Sequence, residues 1–165
     1  MLCKNIEVRR LGLSELELLL SLRMEVLAQV FSAERQEMSE RAWNTLRENN
    51  RRYYLAELER GGHIACVAEI ENSIAGCGGV CLYDEMPSPD NPSGKCAYLM
   101  NIYTRENFRG RGVASAVCEW LIAQAEIRSA GKIYLESTDV AKSLYATIGF
   151  AEMENYLKLE RGGRL

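Results

Sequence analysis

The stretch NIYTRENFRGRGVA, residues 101–114, decides how the rest of the chain is read. Before it lies an apolar run rich in strand formers, CAYLMNIY at 96–103. After it, Val113, Ala114, Val117, Leu121 and Ala125 recur at intervals of three and four, with Trp120 and Ile122 widening the stripe. The pattern predicts a strand, a polar loop, and an amphipathic helix that begins close to Gly112 and ends at Gly131. A helix N-terminus carries unpaired N–H groups and partial positive charge, and Gly110 and Gly112 let the backbone approach a ligand closely. With Arg105, Arg109 and Arg111 added, the loop suits an anion such as a pyrophosphate. Solvated loops are also often rich in Arg and Gly; here composition, helix start and preceding strand agree.

Three phosphate loops can be assembled from such parts. The nucleoside-triphosphate loop needs a lysine after its last glycine, and none follows Gly112. A dinucleotide fingerprint is closer: Gly110-x-Gly112-x-x-Ser115 is followed by Glu136, 24 residues beyond Gly112. Its third glycine is missing and too little chain remains for a series of βαβ units, so a Rossmann-like dinucleotide-binding protein is the weaker alternative. The third pattern, Arg/Gln-x-x-Gly-x-Gly/Ala, is met by Arg109-x-x-Gly112-x-Ala114. On these residues, and on Leu144-Tyr145-x-x-x-Gly149-Phe150 downstream, the chain resembles the GCN5-related N-acetyltransferase (GNAT) family, whose loop wraps the pyrophosphate of acetyl-coenzyme A. The order of elements from about residue 4 to 160 fits the same family.

Length and composition set bounds on the rest. A chain of 165 residues, 47% hydrophobic and 26% charged, is ordinary for one globular domain, expected here over 1–165. Twenty basic against twenty-three acidic residues give a net charge of −3, which argues against nucleic-acid or anionic-membrane binding. With no leader pattern and no apolar run long enough to span a bilayer, a cytoplasmic location is expected. The cysteines at 3, 66, 77, 81, 96 and 118 sit mostly inside apolar patterns and read as reduced, buried thiols. No paired Cys motifs or nearby histidine complete a metal site, so no metal is expected.

Taken in order, residues 5–10 read as a first strand. Ser14 and Glu17 form a capping-box pattern for a helix over about 14–30. Ser39 caps a second helical region with Trp43 and Leu46 inward, interrupted near Asn49-Asn50 and running on to Gly61-Gly62. Two antiparallel strands follow at 63–71 and 74–83, turning at Asn72-Ser73. Gly76, Gly78 and Gly79 in the second mark either a close approach of backbone or ligand, or a bulge. Residues 84–95 hold all three prolines and predict an exposed, mobile loop near the acceptor entrance. A fifth strand over 132–137, a short helix over 141–148 stopped by Gly149, and a closing strand over 155–160 complete the chain. The expected class is α/β with α+β character: a twisted, largely antiparallel mixed sheet of six to seven strands with about four flanking helices and one right-handed crossover.

The resemblance implies N-acetyl transfer, with acetyl-CoA as cosubstrate, by direct attack of a primary amine on a small-molecule or peptide acceptor. It implies a splayed central strand whose backbone at Ile102 and Tyr103 binds the pantetheine arm and polarises the thioester, with Thr104 beside them. Arg109, Gly110, Arg111, Gly112, Val113, Ala114 and Ser115 would hold the pyrophosphate, and Thr138 stands where the family often has an asparagine against the coenzyme arm. Tyr145 matches the tyrosine that protonates the departing thiolate; its other reading is a half-buried packing residue. No carboxylate lies in the central strand, so Glu69 and Glu136 are the candidate bases, each also readable as structural, while the lone His63 is not promoted. A catalytically silent acyl-CoA sensor is the alternative from a different class, the acceptor is open, and a homodimer is compatible with this organisation.

Overall fold

The computed structural model describes residues 5–154 and 156–159. Its sheet has the order β1 (Glu7–Leu11), β2 (His63–Ile70), β3 (Ser73–Asp84), β4 (Lys95–Thr104) and β5 (Lys132–Leu135). The first four pair antiparallel, and β4 pairs parallel with β5 through the helix between them. The helices are α1 (Leu16–Val30), α2 (Ser32–Glu37), α3 (Glu40–Arg60), α4 (Val113–Ile127) and α5 (Lys142–Ile148). A mostly antiparallel sheet is incompatible with the doubly wound dinucleotide fold.

Each face of the sheet carries its own apolar cluster. On one, Ile64, Cys66, Ala68, Val80, Ala97 and Leu99 meet Val113, Val117, Cys118 and Leu121 of α4. On the other, Ala65, Val67 and Cys77 meet Leu19, Leu20, Leu22 and Val26 of α1 and Tyr54 of α3. Leu121 and Val117 are fully buried, and each such side chain contributes roughly 1.5–3 kcal/mol, which fixes the orientation of α4 and of the loop before it. The strand glycines serve this packing. A Cβ on Gly78 would lie 2.4 Å from Val117 Cγ1, and one on Gly76 would lie 2.4 Å from the Tyr103 carbonyl oxygen. A bulge is present as well, on the partner strand. Cys77 pairs with Tyr103 and Gly79 with Met100, so Asn101 and Ile102 together face Gly78.

Several expectations need correcting. The sheet has five strands among the described residues, not six or seven, and five α-helices flank it. Residues 156–159 of the expected closing strand have no regular structure, while Asn155 and Glu160 lie outside the described residues. Leu157 is 99% exposed, so alternation alone found no apolar face to cover. Ser14 makes no capping bond; it sits in a 3-10 turn over Leu13–Glu15, and α1 starts at Leu16. Ser39 does cap α3, accepting from the Ala42 N–H. That helix is not interrupted at Asn49-Asn50, because Asn50 Nδ2 donates to the Leu46 carbonyl and its Oδ1 accepts from Arg23. Gly61 closes the helix in the left-handed conformation.

Ser129, at φ 59°, ends α4, with the Ala130 N–H donating to the Ala125 carbonyl. Gly131 has a different task, since a Cβ there would strike the Asn91 amide oxygen at 2.2 Å. Asn91 is buried, donates to Glu85 Oε1 and to the Lys95 carbonyl, and anchors the proline-rich loop. Ser93 donates to the Ser129 carbonyl, so this loop packs at the N-terminal end of β4, opposite the bulge. Among the described residues, no helix is long and apolar enough to cross a membrane.

Candidate active site

The site grows from the way β4 outruns β5. Their pairing covers only Cys96 to Leu99 against Lys132 to Leu135, so residues 100–104 lack a partner strand on that side. Ile102, Tyr103 and Thr104, half-buried, all lie in this stretch, and its backbone groups are available to a ligand. Asn101, its second residue, has φ 58°, a left-handed conformation that asparagine tolerates better than most residues. Its side chain is fixed: Arg23 Nη1 donates to Asn101 Oδ1 at 2.8 Å. The Thr104 hydroxyl oxygen is buried without a hydrogen-bond partner among the described residues, a polar group suited to a ligand.

The strand leads directly into the loop. Gly110 and Gly112 have φ of 71° and 83°, and Gly112 is the N-cap of α4 with no side-chain cap, so the first-turn amides of Val113, Ala114 and Ser115 take no cap from the described residues. Arg109 and Arg111 are exposed beside them; Arg109 Nε reaches toward the Thr104 carbonyl, and the Arg111 guanidinium lies 5.5 Å from the Phe108 ring centre. Arg105 is occupied elsewhere. Its Nε and Nη2 grip both oxygens of Glu25 at 2.9 and 2.7 Å, and its Nη1 donates to the Ile74 carbonyl, tying α1 to the end of β4. The local positive charge offered to an anion therefore comes from Arg109, Arg111 and the helix terminus.

Tyr145 stands on α5, half-buried against the α4 cluster and edge-on to Phe150 at 6.0 Å. It lines a hollow with Leu135, Ser137 and Gly149, at the end of β5 where pairing with β4 stops. Burial, with the nearby Cys118 thiol, raises its phenol above the ordinary tyrosine range, so it stays protonated through neutral pH. Thr138 is exposed, and its carbonyl accepts from the Ser137 hydroxyl and the Ala141 N–H.

The two carboxylates part company. Glu69 bonds Arg9, which also holds Glu15, and it lines a separate hollow with Glu7, Glu71 and Asn72 near the β1–β2 edge. Glu136 follows β5 directly and lies beside the Tyr98 hydroxyl, whose pKa is raised by burial and by that carboxylate. Tyr98 in turn stacks on Tyr134 at 5.0 Å.

Sequence reasoning missed the cavity on the α1–α3 side of the bulge. It measures about 420 Å³ and is lined by Arg23, Asn49, Asn50, Tyr53, Tyr54, His63, Cys81, Tyr98, Met100 and Asn101. The available signal was an asparagine pair inside a helix, read as a break. His63 is 3% exposed, bonded through Nδ1 to the Tyr53 hydroxyl at 3.0 Å, and edge-on to Tyr53 and Tyr54. Burial, helped by Arg23, lowers its pKa to about 4.

A pH dependence follows from His63. Above about pH 6.5 both folded and unfolded chains hold a neutral imidazole, and His63 costs nothing. As pH falls from there toward 4, the unfolded chain takes up a proton that the folded one refuses, so stability is lost by about 3 kcal/mol at pH 4. Denaturant midpoints taken between pH 7 and 4 should fall more steeply for the wild type than for His63→Asn. Parallel pH profiles would show that His63 is not held neutral.

The comparisons agree with this fold. The model of the acetyltransferase (GNAT) family matches residues 24–150. A predicted acetyltransferase with acetyl-CoA from Clostridium acetobutylicum superposes with a TM-score of 0.79 at 23% identity, covering 94% of this chain and 96% of that one. A GCN5-related N-acetyltransferase from Ralstonia eutropha JMP134 gives 0.76 at 22% identity, covering 94% and 99%. A putative acetyl transferase from Pyrococcus furiosus gives 0.72 at 21%, covering 95% and 100%. No curated protein matches the chain. Those three structures share the fold, and the family model spans most of the chain, from the middle of α1 through the pyrophosphate-type loop to Phe150: the chain belongs to the acetyltransferase (GNAT) family.

Proposed function

We propose that the chain, as one domain, transfers the acetyl group of acetyl-CoA to a primary amine by direct attack within a ternary complex. Family membership makes it an acetyl-CoA-dependent N-acetyltransferase. The observation that carries the reading further is the stretch of β4, residues 100–104, that has no partner on the β5 side and leads through the loop at 105–112 to the uncapped N-terminus of α4. In this reading the free amides at 113–115, with Arg109 and Arg111, hold the pyrophosphate, and the backbone at Ile102 and Tyr103 orients the pantetheine arm and polarises the thioester carbonyl. The Thr104 hydroxyl bonds the same ligand, and Thr138 borders its far side.

The amine lone pair forms a C–N bond to the acetyl carbon, the C–S bond breaks, and the thiolate takes the Tyr145 phenolic proton. The proton shed by the amine leaves through water toward Glu136, which is not part of the α1–α3 cavity lining but lies beside its wall residue Tyr98, and solvent returns a proton to Tyr145. Glu69, held by Arg9 two strands away, is less suited to the task. The test is acetyl-CoA offered with a panel of primary amines. The expected result is amine-dependent thiol release with acetylated amine as product and no acetyl adduct on the protein. Coenzyme binding without turnover of any amine would favour a silent sensor instead.

A further inference from the structure

The cavity on the α1–α3 side opens at the β4 bulge, where the acetyl group would arrive, and its lining carries a marked charge asymmetry. Among the described residues no carboxylate lines it. Glu25, the nearest acid along α1, is spent on Arg105, and Glu57 on α3 pairs with Arg60. His63 is buried and neutral at physiological pH, so Arg23 is the ionised group in the wall. A polycationic acceptor would find no counter-charge in the lining itself, only the single carboxylate of Glu136 behind Tyr98.

Arg23 is held but not neutralised. Its Nε donates to Asn50 Oδ1 at 3.1 Å and its Nη1 to Asn101 Oδ1 at 2.8 Å, both neutral amides. Its Nη2 makes no hydrogen bond to the described residues, and the side chain is only half-buried. Two amides from α3 and β4 thus fix a guanidinium in place while leaving its charge uncompensated. Were Arg23 only a brace between helix and strand, a neutral donor would serve without the cost of desolvating a charge. The mid-helix Asn50 finds its explanation here, since its amide is needed to aim the fork.

We propose that the acceptor is a primary amine that also carries an anionic group, a carboxylate or a phosphate, and that Arg23 binds that group in this cavity. The amine then lies toward Tyr98 and the bulge, and Tyr53, Tyr54 and Met100 contact the body of the molecule. A volume of about 420 Å³ fits a molecule of amino-acid size. The assignment rests on the acetyl-transfer reading for its chemistry, though not for the binding of the anion.

The test uses matched pairs of acceptors with the wild type, Arg23→Gln and Arg23→Lys. The pairs are L-phenylalanine against phenethylamine, L-methionine against 3-(methylthio)propylamine, and phosphoethanolamine against ethanolamine, with spermidine as the polycation. Thiol release from acetyl-CoA gives turnover, and calorimetry on protein saturated with coenzyme A gives acceptor binding without it. In the wild type an anion-bearing member should exceed its partner by about 10- to 100-fold in kcat/KM, the scale of a charge-assisted hydrogen-bond pair. Preference for the amino acids identifies a carboxylate, and preference for phosphoethanolamine a phosphate. Arg23→Gln should raise KM for the preferred acceptor far more than it lowers kcat, and erase the preference. Arg23→Lys should retain part of it, and coenzyme affinity should not move. Equal or better use of amines lacking the anion overturns the proposal, as does a preference that survives Arg23→Gln. If no amine releases thiol yet an anion-bearing one binds in an Arg23-dependent way, the transfer reading fails and the anion site stands. If none binds either, both fail. Should Arg23→Gln not fold, the matched pairs on the wild type decide alone.

Discussion

Replacing Gly112 by aspartate should lower coenzyme A affinity by more than about 100-fold in calorimetric titration, and with it abolish turnover. Space is not the reason. A Cβ at this position meets only Ile6 Cδ1 at 3.8 Å, an ordinary contact. The backbone is one cause: an L-residue lets the free loop relax from φ of 83°, and binding must restore that conformation at roughly 1–2 kcal/mol. The larger cause is charge. A carboxylate within about 4 Å of the pyrophosphate repels it by about 4 kcal/mol at an effective dielectric near 20, and it also competes for the free amides of the first turn of α4. Gly112→Ala separates the two effects, because it carries the backbone cost without the charge and should weaken binding by only about 5- to 30-fold. Undiminished affinity in Gly112→Asp would place the coenzyme away from this loop.

The second large effect is expected at Tyr145. Phenylalanine preserves the edge-on contact with Phe150 and the packing against the α4 cluster while removing the phenolic proton. If that proton goes to the departing thiolate, kcat should fall by about 100-fold, the lower end of the range for general acids, since a thiolate is already a tolerable leaving group. Coenzyme affinity should be unchanged. Because burial raises the Tyr145 phenol above the ordinary range, the wild-type rate should not decline with its deprotonation until the pH is well into the alkaline region. A Tyr145→Phe enzyme with wild-type kcat would leave Tyr145 as a packing residue.

How much of this was legible before any coordinates can be traced to particular residues. The loop at 109–114 and the helix after it were readable because glycine spacing, arginines and a 3.6-residue apolar period all lie within one local stretch. Gly61 and Gly149 marked helix ends for the same local reason, and both adopt positive φ. Non-local effects were not readable. Arg105 looked like a phosphate ligand until Glu25, eighty residues away, was seen to occupy it. Gly131 looked like a helix stop, but its lack of a side chain makes room for Asn91. Asn50 looked like a break, and it is an internal residue of α3 whose amide holds Arg23. The cavity on the α1–α3 side combines residues of α1, α3, β2, β3 and β4, and no spacing in the chain announces it.

The most direct measurement of the central claim is thiol release from acetyl-CoA by the wild-type protein as primary amines are added, with both substrates varied. Direct transfer in a ternary complex predicts amine-dependent release with intersecting reciprocal plots, and acetylated amine formed in step with free thiol. Parallel plots with an acetyl group trapped on the protein, or thiol release indifferent to every amine, would contradict it.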